Sequence, residues 1–320
     1  MCDHPPSTAC WGALGIQPNH VVELNPMPLH KLHTLTHNNA VFSAAFSRDG
    51  LQLATASLDN LIKIWRTNDG GLIRTLKGHG DGVAFVGYLA DGRLVSASLD
   101  KSVRVWSAEG VLKANLAGHA EYLSCAAVAN EGTRIASGGF DKTVRLWSAD
   151  SDSVQAVFTG HEANVQAVAF TDDGKRLASG GDDNSIRLWD CEERQPFKKL
   201  VGHAAAVEAL VFAPKTGLLY SAGADGRIRI WNESGEQVAD IDARSPKVKS
   251  LAISSDGKLL ASGGQDGVIR LWKTGTALEE IAVERAHRNT IYGLAFSPTA
   301  DRLASAGFDR TIFVWRLALG

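Results

Sequence analysis

Apolar and polar residues alternate in short runs along this chain, and each run stops at a turn after five or six residues. Val165-Gln166-Ala167-Val168-Ala169-Phe170 and Ile186-Arg187-Leu188-Trp189 show the pattern. Successive side chains of a strand point to opposite faces, so this period predicts short β-strands. Asp-Gly pairs at Asp49-Gly50, Asp91-Gly92, Asp173-Gly174 and Asp256-Gly257 punctuate the runs. Their glycines supply the positive φ of tight hairpins. No segment shows a long helical period, and the chain reads as a succession of antiparallel strands.

The strands recur as a unit. Residues 160–190 begin with Gly-His and close on Trp-Asp, and reworded copies follow one another at a period of about 42 residues. Trp65, Trp106, Trp147, Trp189, Trp231, Trp272 and Trp315 end the copies. An aspartate stands six residues before each: Asp59, Asp100, Asp141, Asp183, Asp225, Asp266 and Asp309. A stacked array shares one continuous core, which overrides the two domains that 320 residues would otherwise suggest. Residues 1–29 do not repeat, contain Pro5, Pro6, Pro18, Pro26 and Pro28, and read as a loosely ordered leader; 30–320 form the repeat array. Trp11 belongs to no repeat. The leader's Cys2, His4, Cys10 and His20 match no compact zinc spacing, so no metal is assigned.

With 33 basic and 35 acidic residues the net charge is −2, without the basic excess that gripping phosphate backbones needs; nucleic acid is not an expected partner. Cys2, Cys10, Cys125 and Cys191 follow no repeat-linked spacing, which suits a reducing compartment, and Cys125 reads as a small hydrophobe. No signal peptide is evident, and no apolar run approaches the ~20 residues of a spanning helix. The expectation is an intracellular protein, cytoplasmic or nuclear, with no membrane association.

Over residues 31–318 the Gly-His, Asp and Trp positions resemble the WD-repeat family. The resemblance implies an all-β, seven-bladed β-propeller of four-stranded antiparallel sheets. Because a repeat's first strand is the outer strand of the preceding blade, Lys31–Thr36 is expected to complete the last one and hide its edge. The family's pattern also assigns a buried hydrogen-bond network to each blade. Its members are His37, Thr55, Asp59, Trp65; His79, Ser96, Asp100, Trp106; His119, Ser137, Asp141, Trp147; His161, Ser179, Asp183, Trp189; His203, Ser221, Asp225, Trp231; and His287, Ser305, Asp309, Trp315. A catalytic triad needs one exposed nucleophile beside an oxyanion site, not a copy in every unit. One blade keeps Ser262, Asp266 and Trp272 but has Arg244 where its histidine would stand. That is either one decayed copy or, with Lys247, a basic rim for an acidic partner.

In this family loops and the channel rim carry binding, and an often-used contact position is the residue before the turn aspartate. Here that position holds Leu58, Leu99, Phe140, Asp182, Ala224, Gln265 and Phe308. Phe308, Leu58, Leu99 and Phe140 would form an apolar arc over four consecutive blades, with Tyr122 beside Phe140. Asp182 and Glu162 flank it on the acidic side and Lys247 and Arg288 on the basic side. The basic residues two before each Trp (Lys63, Arg104, Arg145, Arg187, Arg229, Arg270, with Phe313 in the seventh blade) are expected to pack their stems on aromatic neighbours. The functional expectation is a non-catalytic scaffold, a monomeric ring binding proteins or peptides on its top face, with no cofactor. The alternative is a reader of basic or modified tails at Asp182 and Glu162; a propeller-framed enzyme ranks third. The Trp-Asp-x-Arg ending of the family's ubiquitin-ligase adaptors is missing, since only Trp189 precedes Asp and position 192 is Glu192.

Overall fold

The computed structural model describes residues 29–318 except 130, 131, 152 and 276; of the leader, residues 1–28 lie outside that range. Among the described residues, 28 strands form seven four-stranded antiparallel sheets. Six blades run in chain order from inner to outer strand: blade 1 at 41–76, blade 2 at 83–117, blade 3 at 123–158, blade 4 at 165–201, blade 5 at 207–242 and blade 6 at 248–285. Blade 7 takes three strands from 291–317 and its outer strand from the other end of the chain.

That closing strand is Leu29–Thr36, two residues longer than the Lys31–Thr36 that the resemblance implied. It pairs antiparallel with Thr311–Leu317, from Leu29 opposite Leu317 to Thr36 opposite Thr311, with a bulge between Lys31 and His33. The His37 N–H continues the ladder to the Arg310 carbonyl at 3.1 Å.

The burial of each strand follows its place in the blade. Second strands such as Gln52–Ser57 and Leu259–Gly264 are buried almost throughout, because neighbouring blades cover both faces. They are therefore written in small residues. A Cβ on Gly138 would lie 2.6 Å from Val165, and one on Gly180 would lie 2.5 Å from Val207, so the first residue of one blade's inner strand plugs onto the glycine of the blade before it. The core is distributed over seven clusters, one per blade interface. Ala136, Val144 and Leu146 of blade 3, for example, meet Val165, Leu177 and Trp189 of blade 4. Leu35, from the closing strand, is buried in the cluster between blades 7 and 1.

The turns carry their strain at fixed places. Gly50, Gly92, Gly174 and Gly257 have φ of 71°, 86°, 66° and 75°, as the Asp-Gly pairs imply. The residue after each turn aspartate also has positive φ, and in five blades it is not glycine: Asn60, Lys101, Lys142, Asn184 and Arg310.

Leu35 contributes apolar burial at the seam that closes the ring. Leu35→Ala is expected to lower stability by about 2–4 kcal/mol in urea denaturation. Val201→Ala, at a position 73% exposed on an ordinary outer strand, should stay within about 0.5 kcal/mol. Equal effects from the two changes would mean that the seam contributes nothing special.

Candidate functional site

Loops on the top face are held by a four-residue chain of hydrogen bonds. In blade 4, the Trp189 indole N–H donates to Ser179 Oγ at 2.8 Å, Ser179 Oγ lies 2.7 Å from His161 Nε2, and His161 Nδ1 lies 2.9 Å from Asp183 Oδ2. A carboxylate only accepts, so Nδ1 carries the imidazole proton. The neutral ring then accepts from the serine hydroxyl, whose oxygen accepts from the indole, and every polar group along the line is satisfied. The same chain runs through His37, Thr55, Asp59 and Trp65 and through His79, Ser96, Asp100 and Trp106. It recurs with His119, Ser137, Asp141 and Trp147, with His203, Ser221, Asp225 and Trp231, and with His287, Ser305, Asp309 and Trp315.

Each aspartate also fastens backbone. Asp183 accepts the Ser185 N–H at 3.1 Å and the Glu162 N–H at 3.0 Å, tying its own turn to the loop after the histidine. Burial pushes this carboxyl up, but the Glu162 N–H, the Ser185 hydroxyl and His161 outweigh it and hold it at about 2. Asp59, Asp141 and Asp225 are lowered in the same way. Burial lowers His37, His119, His161 and His203, outweighing the adjacent carboxylates, so these rings stay neutral.

Blade 6 reaches the same end differently. Arg244 occupies the histidine position at φ 52°, with its side chain 70% exposed and paired to Glu280 at 3.2 Å. Arg270 takes over inside: Nη1 donates to Asp266 at 2.8 Å and Nη2 to the Arg244 carbonyl at 2.7 Å. Trp272 still donates to Ser262 at 2.9 Å. The two sequence readings of this blade, decay or rim, both overlooked that substitution. Stem packing alone likewise understates the other basic residues. Arg229 pairs with Asp225 at 2.7 Å and Arg104 with Asp100 at 3.5 Å, while Lys63 lies 5.5 Å from the Trp65 ring. In blade 7, Phe313 packs tilted against His287 and edge-on to Trp315, and Lys31 supplies the cation 4.0 Å above it.

The face itself contains a ring that strand alternation cannot reveal. Every inner strand is bulged one residue past its start, which leaves Phe42, Ala84, Ser124, Gln166, Glu208, Lys249 and Tyr292 unpaired. All seven line the central channel, whose volume is about 1180 Å³. One arc is aromatic, with Tyr292 edge-on to Phe42 at 5.2 Å and 6.2 Å from Phe308. The opposite arc is polar, with Lys249 ion-paired to Glu208 and Gln166 donating to Asp182 at 3.0 Å.

Of the residues nominated from sequence, Tyr122, Phe140 and Phe308 are exposed, and Tyr122 lies 6.1 Å from Phe140. Leu58 and Leu99 are half-buried, because their methyls converge over Gly82, where a Cβ would lie 2.6 and 2.9 Å from them. The apolar arc is thus two exposed aromatic groups with a recessed leucine pair between them. Asp182 also accepts from the Asn164 amide at 3.1 Å; Glu162, Lys247 and Arg288 are exposed. Cys125, beside the channel, is half-buried, and burial pushes its thiol up to about 12. Among the described residues no cluster of three or more His, Cys, Asp or Glu could hold a metal ion, and no helix is long and apolar enough to cross a membrane.

Two outcomes follow for the network. Ser179→Ala strands both an indole N–H and an imidazole, whereas Ser262→Ala strands the indole alone. The first should cost about 1–2 kcal/mol more in chemical denaturation. On acidification below the ordinary imidazole value of 6.5 the unfolded chain takes up protons that His37, His119, His161 and His203 refuse in the native state. Stability should therefore decline from pH 6.5 downward, with a further loss below the ordinary carboxyl value of 3.8 as the aspartates protonate. A melting temperature flat from pH 7 to 5 would contradict the histidine contribution.

The model of the WD domain, G-beta repeat, matches residues 29–66, 70–107 and 110–148, and the model described as IFT122 first beta-propeller matches 148–320. Intraflagellar transport protein 122 homolog of Xenopus tropicalis is 44% identical over 77 residues, 23% of this chain and 6% of that protein. COMPASS component SWD3 of Saccharomyces cerevisiae is 34% identical over 113 residues, 33% of this chain and 36% of the relative. WD repeat and SOCS box-containing protein 1 of Danio rerio is 37% identical over 92 residues, 28% of this chain and 22% of the relative. Each of these relatives is matched over much less than two-thirds of its own length. With the two family models together matching all but five of residues 29–320 and seven four-stranded sheets in the fold, the chain belongs to the WD-repeat β-propeller family, its larger part matching the IFT122 first beta-propeller.

Proposed function

We propose that this protein is a non-catalytic scaffold that binds partner proteins or peptides on the top face and channel rim. The observation that carries the reading is two aromatic groups: Phe140 with Tyr122 and Phe308 stand on loops pinned by buried hydrogen-bond chains, and Tyr292 and Phe42 continue from Phe308 on the bulged inner strands. Aromatic anchors on a pre-ordered surface lose little entropy on binding. The charged residues Glu162, Lys247 and Arg288 rim this face and orient the partner. The SWD3 relative is by name a COMPASS component, and by likeness we extend to this chain the role of one component among several proteins. A reader of basic tails is less well supported, because both Asp182 oxygens are engaged by the Gln166 and Asn164 amides.

Phe140→Ala with Phe308→Ala is expected to weaken binding of a partner recovered by affinity capture by about tenfold or more, in titration calorimetry with the purified pair. The fold should be retained, since both side chains are exposed. Unchanged affinity for every recovered partner would remove the top-face assignment.

A further inference from the structure

A second cavity, of about 540 Å³, opens on the bottom face between blades 4 and 5. Its floor is apolar: Leu188, Leu200, Phe212, Leu219 and Trp231. These side chains also belong to, or pack against, the core cluster between the two blades, and Leu188, Leu200, Leu219 and Trp231 keep only 2–6% of their surface exposed, so the cavity is a cleft over a packed interface.

A contact that crosses three of the other blade interfaces is missing from this one. In blades 2, 3 and 7 an arginine at the start of the second strand reaches across to the next blade's backbone. Arg93 donates to the Ala149 carbonyl at 3.0 Å, Arg134 to Gly174 at 3.0 Å and Arg302 to Thr67 at 3.1 Å. Arg176 holds this position in blade 4, opposite Asp190 just as Arg302 lies opposite Arg316. Its guanidinium instead turns back over the Phe197 ring of its own outer strand, 4.6 Å from the centroid. The strap that would cross to blade 5 is therefore folded away. At the periphery, Lys198 of blade 4 donates to the Ser234 carbonyl of blade 5.

The rim sets the chemistry of an occupant. Five acids (Asp172, Asp173, Asp190, Glu192 and Glu233) line the cavity against three bases, and one of those, Arg176, is spent on Phe197. Among the described residues, the exposed side chains of Glu192 and Glu233 make no hydrogen bond or ion pair. From the apolar floor, the acidic rim and the withdrawn strap we infer that this cleft docks a basic peptide segment carrying an apolar anchor, separate from the top-face partner. Apolar side chains would enter over Leu219 and Trp231 while flanking Arg or Lys groups meet Glu192 and Glu233.

Fluorescence anisotropy with the full chain and three labelled nonapeptides tests this: alternating Arg and Leu, alternating Arg and Ser, and alternating Glu and Leu. Only the first should bind, and Glu192→Lys with Glu233→Lys should weaken it about tenfold. Phe197→Ala should also weaken it, by releasing Arg176 to cross to blade 5; adding Arg176→Ala should restore binding, which loss of fold would not allow. Phe140→Ala with Phe308→Ala should leave the peptide's affinity unchanged. Equal binding of all three peptides, indifference to the charge reversal, or failure of Arg176→Ala to rescue Phe197→Ala would overturn the assignment. A loss confined to the top-face variant would place the peptide on the top face.

Discussion

Backbone pairing between Leu29–Thr36 and Thr311–Leu317 is the constraint on which the disc depends. Seven wedge-shaped sheets bury their faces only if the first meets the last, and the cluster between blades 7 and 1 draws Leu35 from that closing strand. Without it, the strand Thr311–Leu317 would present unpaired N–H and C=O groups, and one face of blade 1 would lose its cover. The remaining outer strands stay as short edges at the circumference, guarded by charge and, in Gln195–Val201, by Pro196.

The buried chains do for the loops what the seam does for the ring. Each runs from an indole in the sheet to a carboxylate that holds two turns, so the top face is fastened to the core at regular intervals. Blade 6 separates what is essential in that device from what is incidental. Imidazole is dispensable; a donor that satisfies Asp266 while gripping the loop is not, and the guanidinium of Arg270 meets both needs. The bulged residues on the inner strands are free of such duties. That freedom lets their character change around the channel, from Phe42 and Tyr292 on one side to Glu208 and Lys249 on the other.

Repetition made the architecture legible. Seven Asp-to-Trp intervals specify seven blades, and the offset of repeat from blade points to the closing strand before any coordinate is known. Three features escaped the same reading, each for a physical reason. A bulge leaves the residues on either side of it apolar or polar as before, so Phe42 and Tyr292 look like ordinary strand positions. Leu58 and Leu99 sit where contacts are common, but their exposure depends on Gly82, a residue from a different turn, leaving room beneath them. Arg176 and Arg302 hold equivalent positions in similar strands, yet Arg176 lies over Phe197 of its own outer strand while Arg302 reaches the Thr67 carbonyl of the next blade, a difference set by neighbours distant in sequence.

The register of the closing strand has one more consequence. Leu29 lies directly opposite Leu317, so the two ends of the ring are neighbours separated by the ~5 Å between paired strands. Which blade is synthesised first is therefore irrelevant to the finished object. A short peptide joining those ends, with a new opening cut at an exposed hairpin such as the one around Gly70, would give a circular permutant with the same cyclic order of blades and the same two faces.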